Sequence, residues 1–307
     1  MTSLVKISYS LLKTICIGVM ETACKYVSSR GLLKSCDFRS PQPISGACAD
    51  LTYLYNIRYK QFQNMSIYIC ADLIPFFSEK ILKDIRCRFF LFSGDSDSTI
   101  ANMHPILNKI LSSPYLIKWF SQNNLLIHPK IQAMPIGLDY HTILMNPSYP
   151  WKEANEGILP INQETILLSI PQLPFFKRIN KIYCNYTLQN DYFGDRKSAQ
   201  CIPEVLLHKN TGLKRTAMWK EMVNYSFVLS PKGNGVDCHR TWEALCLGCI
   251  PIVSFSYSVF EDLPVLVSNW NDVTQELLDK TLEEFQTRKF NYDKLTLAYW
   301  NKIKENI

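Results

Sequence analysis

The feature that most constrains the fold is an alternation of short apolar runs with longer segments whose apolar residues recur at helical spacing. From Ser66 onward, SIYICAD and RFFLFSG have the length of buried strands, whereas LIPFFSEKILKDI and HPILNKILSS, which begins near Pro105, have the spacing of amphipathic helices. Strands separated by helices of this length form βαβ units with parallel strands. The sequence therefore predicts an α/β protein with mainly parallel sheets.

The alternation stops in the middle of the chain and then resumes. Between residues 146 and 174, residues that break regular structure are frequent: Pro147, Pro150, Gly157, Pro160, Pro171 and Pro174. Beyond them, KIYCNYT, SFVLS, CIPIVS and LPVLVS are predicted strands, and residues 196–208 and TAMWKEMVNY are predicted helices. We therefore expect two domains, residues 1–145 and 146–307, with a cleft between them and a C-terminal helix that packs back across the junction.

Composition and charge narrow the class of protein. A chain of 307 residues with 47% hydrophobic and 20% charged residues has the composition of a globular protein. The net charge of +6 is spread along the chain, so we expect no nucleic-acid partner. The eleven cysteines are odd in number and scattered, which indicates reduced thiols and a cytoplasmic location.

The amino-terminal residues 1–31 contain an apolar stretch interrupted by Lys6, Lys13, Glu21 and Lys25. No run approaches the roughly 20 apolar residues that span a bilayer. We expect an amphipathic helix packed on the domain, with no signal peptide and no integral membrane segment; a helix at a membrane surface is the alternative.

The run FVLSPKGNGVDCHRTWEALCLG, residues 227–248, predicts a strand, a turn over residues 231–235 and a helix over residues 238–247 closed by Gly248. Gly233 and Gly235 are expected to permit positive φ, and Asp237 is expected to be the N-cap. The unpaired amides and partial positive charge at the start of the helix suit a phosphate.

Charged side chains make this turn a candidate nucleotide site. Lys232 and Arg240 add positive charges, and Glu243 lies three residues after Arg240 on the same helix face. This arrangement suits a nucleoside diphosphate, with cations on the phosphates and the carboxylate on ribose hydroxyls. An Arg-x-x-Glu pair is also a common surface ion pair, so the spacing alone leaves both interpretations open.

The stretch SPKGNGVDCHRTWEALCLGCIPIV resembles the carboxy-terminal signature of exostosin-like glycosyltransferases of the GT47 type and of related enzymes encoded by large DNA viruses. MPIGLDYH at residues 134–141 and IYCNYT, with Arg196 downstream, are similar to other blocks of that family. The resemblance implies a GT-B fold, in which two Rossmann-like domains face a central cleft. It implies an acceptor-side first domain, a second domain that holds a nucleotide sugar, and inverting transfer with no required metal or other cofactor. For a viral enzyme the compartment would be the host cytoplasm.

By matching position, the resemblance places Arg240 and Glu243 at the donor site, with Arg196 as a fainter match. His239 stands where many family members have other residues, and it either packs or caps the helix or donates to phosphate. The full set of expected donor-binding residues is Arg196, Ser230, Lys232, Gly233, Asn234, Gly235, Asp237, His239, Arg240 and Glu243.

Inverting transfer also needs a base that deprotonates the acceptor hydroxyl. We expect it in the first domain at the end of a strand, where Asp95, Asp97, Asp139 and His141 are the candidates. Asp95-Ser-Asp97 also has the Asp-x-Asp spacing with which GT-A enzymes hold a divalent metal. Because this loop is far along the chain from the turn, we favour an acceptor-side role for the pair and no metal.

We therefore expect an inverting hexosyl- or pentosyltransferase that moves a sugar from a UDP-sugar, such as UDP-xylose, to a hydroxyl of a glycan acceptor. A GDP-sugar, as in fucosyl transfer, is the alternative donor. A non-catalytic nucleotide- or glycan-binding protein of the same fold is the alternative from another class.

Overall fold

The structure is a computed structural model and describes residues 20–40, 52–102, 104–154 and 156–306. The chain forms two compact units, Met1–Ile136 together with Trp300–Ile307, and Gly137–Tyr299. Each is a mixed α/β unit on a parallel sheet, of four strands in the first and five in the second, which confirms the α/β class with parallel sheets. The sequence placed the boundary after residue 145, whereas the compact units divide after Ile136. The amphipathic helix expected over residues 1–31 lies mostly outside the described residues.

The first unit has its elements in the order expected of βαβ units. They are α1 (Ser29–Lys34), α2 (Thr52–Asn56), β1 (Met65–Cys70), α3 (Ile74–Phe76), β2 (Phe89–Gly94), α4 (His104–Leu111), β3 (Leu116–Ser121) and β4 (Ile131–Ala133). The strands predicted in SIYICAD and RFFLFSG and the helix predicted near Pro105 are confirmed as β1, β2 and α4. The helix predicted over LIPFFSEKILKDI is less regular, because α3 continues as a π-helical turn, Phe77–Ile81, and a 3-10 turn, Leu82–Asp84.

The first sheet follows chain order, β1-β2-β3-β4, with every strand parallel. Ile67 pairs with Leu91, and Leu91 pairs with Trp119 in the next strand. All residues of β1 and β2 are buried, as expected of parallel strands covered on both faces. Phe38 pairs with Ile67 on the other side of β1. Among the described residues, the strand order of this sheet therefore shows no reversal.

The second unit contains the longer helices. Its elements are α5 (His141–Met145), α6 (Pro160–Ser169), β5 (Ile179–Cys184), α7 (Asp195–Ser198), β6 (Leu207–Lys209), α8 (Arg215–Met222), β7 (Tyr225–Leu229), α9 (His239–Cys246), β8 (Ile250–Val253), β9 (Leu266–Val267), α10 (Gln275–Thr287) and α11 (Leu297–Lys302), the last of which continues into the first unit. Helix α6 lies in the segment where we expected no long element; its first residue is Pro160, and proline is compatible with the first turn of a helix.

The helix predicted over residues 196–208 is wrong. Helix α7 ends at Ser198, and the chain then passes through two 3-10 turns into strand β6, Leu207–Lys209. Pro203 explains the break, because proline has no backbone N–H and disfavours helical backbone in the residue before it. Ile202 accordingly has extended backbone angles.

Strand β6 determines where this unit can hold a ligand. The strand order is β6-β5-β7-β8-β9, all parallel, so the direction of winding reverses between β5 and β7. Ile182 of β5 pairs with Leu207 on one side and with Phe227 on the other. In open parallel sheets, ligands bind outside the carboxyl ends of the strands at such a reversal. Here the two strand ends are Cys184 and Leu229.

Two further findings concern membrane-spanning helices and the cysteines. Among the described residues, no helix combines the length and the hydrophobicity needed to cross a bilayer. The nine cysteines in the described part of the chain are all free thiols. Cys16 and Cys48 lie outside it.

Candidate functional site

The glycine-containing turn lies at the reversal of strand order. Strand β7 ends at Leu229 and leads directly into the turn, while β5 ends at Cys184 and leads into Asn185. Asn185 Oδ1 accepts a 2.7 Å hydrogen bond from Nε of Arg240, in the first turn of α9. This contact joins the start of α9 to the end of β5, across 55 residues of chain.

Helix α9 begins at His239, close to the predicted start, and Cys238 is its N-cap but makes no capping hydrogen bond with its side chain. The prediction that Asp237 caps the helix is wrong. Asp237 lies one residue before the N-cap, and its buried Oδ2 accepts a 2.9 Å hydrogen bond from the indole N–H of Trp242. The side chain of the N-cap residue therefore does not cap the first amides of α9.

The glycines of the turn have a different role from the one expected. Neither Gly233 nor Gly235 has positive φ, so the turn does not use the freedom that glycine permits there. A Cβ at Gly233 would lie 2.7 Å from Nη2 of Arg196, so a larger residue there would displace the end of the Arg196 side chain. Gly248 does adopt φ 70° after α9 and closes the helix as predicted.

Arg196 fastens the loop that follows β5 to the turn that follows β7. Its Nη1 donates to the carbonyls of Thr187 at 3.0 Å and Gln189 at 2.5 Å, and its Nε donates to the carbonyl of Lys232 at 3.3 Å. These bonds use donors that a phosphate would otherwise take. Arg196 is therefore placed as a residue that shapes the site, with Nη2 lying over Gly233.

Arg240 has hydrogen-bond donors that do not bond to any described residue. Its side chain is half-buried, and its Nη1 and Nη2 form no hydrogen bond with any described residue. Burial lowers the pKa of the guanidinium, Cys238 opposes this shift and Arg196 adds to it, but arginine still remains protonated. Two adjacent N–H donors are thus available for bidentate binding of a phosphate.

Glu243 lies one turn further along α9 and is buried, with 8% of its surface exposed. Its carboxylate accepts no hydrogen bond of normal geometry from another described residue. Burial raises the pKa of the carboxyl, and Arg215, His239 and Arg240 oppose the shift. The indole N–H of Trp219 also favours the ionised form, although its geometry is outside that of a normal hydrogen bond. Glu243 is therefore a buried acceptor with capacity for a hydroxyl donor.

The other expected donor residues mostly support the turn. The Ser230 hydroxyl is buried and bonded to the hydroxyl of Thr241 at 2.7 Å. The ammonium of Lys232 lies over the rings of Phe193, at 5.0 Å, and Phe255, at 4.5 Å, as a cation–π contact. Asn234 is half-buried and Gly235 is buried within the turn.

Sequence reasoning missed Asp195, which organises the turn. The buried Asp195 carboxylate accepts from the Lys232 amide at 2.7 Å and, at 2.8 Å each, from the Ser254 hydroxyl and the Trp270 indole N–H. Asp191 likewise accepts from the first amides after Asp195, those of Arg196 and Lys197, at 3.0 Å. The available signal was an acidic residue directly after Gly194 at a helix start, which predicts a cap but not these distant partners.

Asp139, His141 and His239 converge in the second unit. Asp139 Oδ1 is 3.2 Å from Nδ1 of His141, and the His141 and His239 rings are 5.8 Å apart. Nδ1 of His239 is 2.7 Å from the carbonyl oxygen of Gly137. Burial raises the pKa of the Asp139 carboxyl, but the two histidines and the amide and hydroxyl of Thr142 outweigh it, so the net pKa is well below the ordinary range. Within the described residues, these three side chains form a cluster of potential metal ligands, with ligand atoms within 4.8 Å of one another.

The other two candidate bases lie in the first unit and do not converge in the same way. Asp95 follows β2 with φ 56°, and its buried carboxylate is 3.5 Å from the guanidinium of Arg30. Asp97 is exposed. The Ser96 and Ser98 hydroxyls between and beside them donate to Asp72, at 2.6 and 3.0 Å. The Asp-x-Asp loop therefore has one carboxylate buried in an ion pair, that of Asp95, and one exposed residue, Asp97.

No model of a known protein family matches the chain, and no match is found among curated proteins.

Proposed function

We propose that the second unit binds the diphosphate of a nucleotide sugar at the reversal between β5 and β7, and that the chain is an inverting glycosyltransferase. The observation that carries this proposal is Arg240, whose two Nη groups bind no described residue while its Nε is fixed by Asn185. It lies at the start of α9, where the N-cap side chain makes no capping bond and where amides and the helix dipole also favour an anion.

Glu243 makes the arrangement more specific than a general anion site. A phosphate alone would be repelled by a carboxylate one helical turn away. A nucleoside diphosphate contains both an anionic part and ribose hydroxyls, so Arg240 binds the phosphates while Glu243 accepts from the ribose. Arg196 and Asp195 hold the two loops around it in place.

The same groups serve the chemistry of transfer. When the sugar leaves, negative charge grows on the terminal phosphate oxygen, and a fixed guanidinium stabilises that charge more in the transition state than in the ground state. On this proposal the leaving group is neutralised by protein groups, and no metal is required for transfer. The UDP-sugar, with UDP-xylose as an example, is favoured by the resemblance of the Ser230–Val253 block, and a GDP-sugar is the alternative.

The acceptor is proposed to be a glycan hydroxyl, deprotonated by a base. Among the four candidates, Asp95 is the least suited, because its carboxylate is buried against Arg30. Asp97, Asp139 and His141 are the remaining candidates, and the GT-B arrangement of the two units belongs to the proposal.

The direct test is nucleotide binding by the full chain, measured by thermal shift and calorimetry with UDP, GDP and their sugars. A ligand at 100 times its Kd stabilises the folded state by about 2.7 kcal/mol. We expect Arg240→Ala to weaken binding by about 100-fold, since a charged hydrogen-bonding partner contributes roughly 1.5–3 kcal/mol. Arg288→Ala, which removes an exposed arginine paired with Glu284 on α10, is the matched control and should bind normally.

Two results separate the parts of the proposal. If no nucleotide shifts the melting temperature at millimolar concentration, the donor site is wrong. If nucleotides bind through Arg240 but no sugar is transferred to any glycan acceptor, the chain is a nucleotide-binding protein of the same fold and not an enzyme.

A further inference from the structure

The group formed by Asp139, His141 and His239 has features that the nucleotide site does not use. One ligand atom from each residue lies within 4.8 Å of the others. The Asp139 side chain is 4% exposed and the His141 side chain 20% exposed, so the group is reachable without lying in open solvent. All three residues belong to the second unit.

The distances fit ligands of one ion. Two ligand atoms at about 2.0–2.2 Å from a metal, at tetrahedral or octahedral angles, lie roughly 2.9–3.5 Å apart. Oδ1 of Asp139 and Nδ1 of His141 are 3.2 Å apart. All three ligand atoms lie within 4.8 Å of one another, so one ion can reach them only if side-chain rotation shortens the widest spacing.

The hydrogen bond of His239 determines which of its ring nitrogens can bind a metal. Since a carbonyl oxygen only accepts, Nδ1 of His239 carries the proton and donates to Gly137 at 2.7 Å. Nε2 then carries the lone pair that a metal needs. A backbone carbonyl behind a histidine is a common second contact in metal sites, because it fixes the tautomer and the orientation of the ring.

Hydrogen bonds also fix the side chain and the backbone of Asp139. Its carboxylate accepts from the Thr142 amide at 2.9 Å, and its carbonyl accepts from the Arg215 guanidinium at 2.9 Å. Arg215 is itself held by the Gln163 side chain at 2.7 Å. Gly137 has φ 67°, a conformation that suits glycine and directs its carbonyl to His239.

We propose that Asp139, His141 and His239 bind one divalent transition-metal ion of the zinc class. Two imidazoles and one carboxylate favour such an ion over Mg²⁺ or Ca²⁺, which prefer sets of oxygen ligands. Three protein ligands leave a coordination position for water or another small ligand. The ion would fasten residues 137–141 to the start of α9, across 98 residues of chain from His141 to His239. The proposal concerns binding and stands whether or not a nucleotide binds next to it.

The test uses the full chain, freed of metal by a chelator and dialysed, and titrated with ZnCl₂ by calorimetry. We expect about one ion per chain and a rise in melting temperature. His141→Ala and His239→Ala should each weaken binding by at least about 10-fold. His208→Ala, which removes the histidine paired with Glu221 in the same unit, is the matched control and should bind as the parent does.

Two additional measurements keep the outcome decisive. If His239→Ala does not fold, Asp139→Asn removes the anionic ligand with little change of shape and should weaken binding similarly. Titration with Co²⁺ separates this site from the cysteines, because thiolate ligands give intense charge-transfer absorption that nitrogen and oxygen ligands lack. Absence of binding by the parent chain, equal binding by the variants, or a thiolate spectrum would overturn the proposal.

Discussion

Replacement of Asp195 tests whether the turn at the proposed nucleotide site is held by one buried carboxylate. The structure gives Asp195 three donors: the Lys232 amide at 2.7 Å, and the Ser254 hydroxyl and Trp270 indole N–H at 2.8 Å each. Hydrogen bonds to a charged group contribute roughly 1.5–3 kcal/mol each, but bonds that share one acceptor are not additive. We therefore expect Asp195→Ala to lower the free energy of unfolding by about 3–5 kcal/mol.

Asp195→Asn isolates one of the three contacts. The amide oxygen of asparagine still accepts from Ser254 and Trp270, while its NH₂ group faces the backbone N–H of Lys232. One unpaired donor costs about 1–3 kcal/mol. Because Lys232 belongs to the turn, this variant should also weaken nucleotide binding.

Urea unfolding followed by tryptophan fluorescence measures both variants, with the midpoint compared at unchanged slope. Asp272→Ala is the matched control. Asp272 is exposed and accepts from the Asn269 side chain at 3.0 Å, so its loss should change stability by less than about 0.5 kcal/mol. A loss below about 1 kcal/mol for Asp195→Ala would refute the view that this carboxylate holds the turn.

Two further predictions concern the buried carboxylate of Glu243 on α9 and Gly137, whose carbonyl contacts His239. Burial raises the pKa of Glu243, so ionisation of this carboxyl opposes folding. Urea unfolding at several pH values should show Glu243→Gln to be more stable than the parent above about pH 4.3, and should show this difference vanish at lower pH, where the parent carboxyl is protonated in both the folded and the unfolded state. Calorimetry should show that the same variant binds nucleotide about tenfold more weakly. Gly137→Ala should lower the free energy of unfolding by about 1 kcal/mol, because φ 67° is strained for a residue with a side chain. It should also weaken zinc binding roughly 10-fold, because the Gly137 carbonyl moves away from His239. Gly212→Ala is the control: an added Cβ meets nothing within 4 Å there, so zinc binding should be unchanged. Equal stability of Glu243→Gln and the parent at neutral pH, or unchanged zinc affinity of Gly137→Ala, would contradict these expectations.

The sequence identified the elements whose residues are buried on a regular pattern. The apolar runs of β1, β2, β7 and β8 predicted strands, and Gly248 predicted the end of α9, because burial and backbone freedom are local properties of the chain. Strand β6, Leu207–Lys209, was missed for the same reason. Three residues that include His208 and Lys209 carry no apolar pattern, and their pairing with β5 depends on a strand that lies elsewhere in the sequence.

The sequence also placed positive charge at the start of α9, since Lys232 and Arg240 are close neighbours of the turn in the chain. It did not distinguish their roles. Lys232 packs on two aromatic rings, whereas neither Nη group of Arg240 bonds to a described residue. That difference depends on Phe193, Phe255 and Asn185 from other loops. The Asp237 side chain likewise accepts from the indole N–H of Trp242 and does not serve as the N-cap, because packing brings the two side chains together.

By itself, then, the sequence determined the α/β class, the strand–turn–helix unit and the residue types available for chemistry, because these follow from local hydrophobic period and from glycine and proline. Only the tertiary structure decided the order β6-β5-β7-β8-β9 and hence the reversal beside the turn. It also decided that Asp139 and His141 lie close to His239, although the two histidines are 98 positions apart in the chain. Such convergence depends on which strands and loops pack together, and that is a property of the whole folded unit that no local pattern encodes.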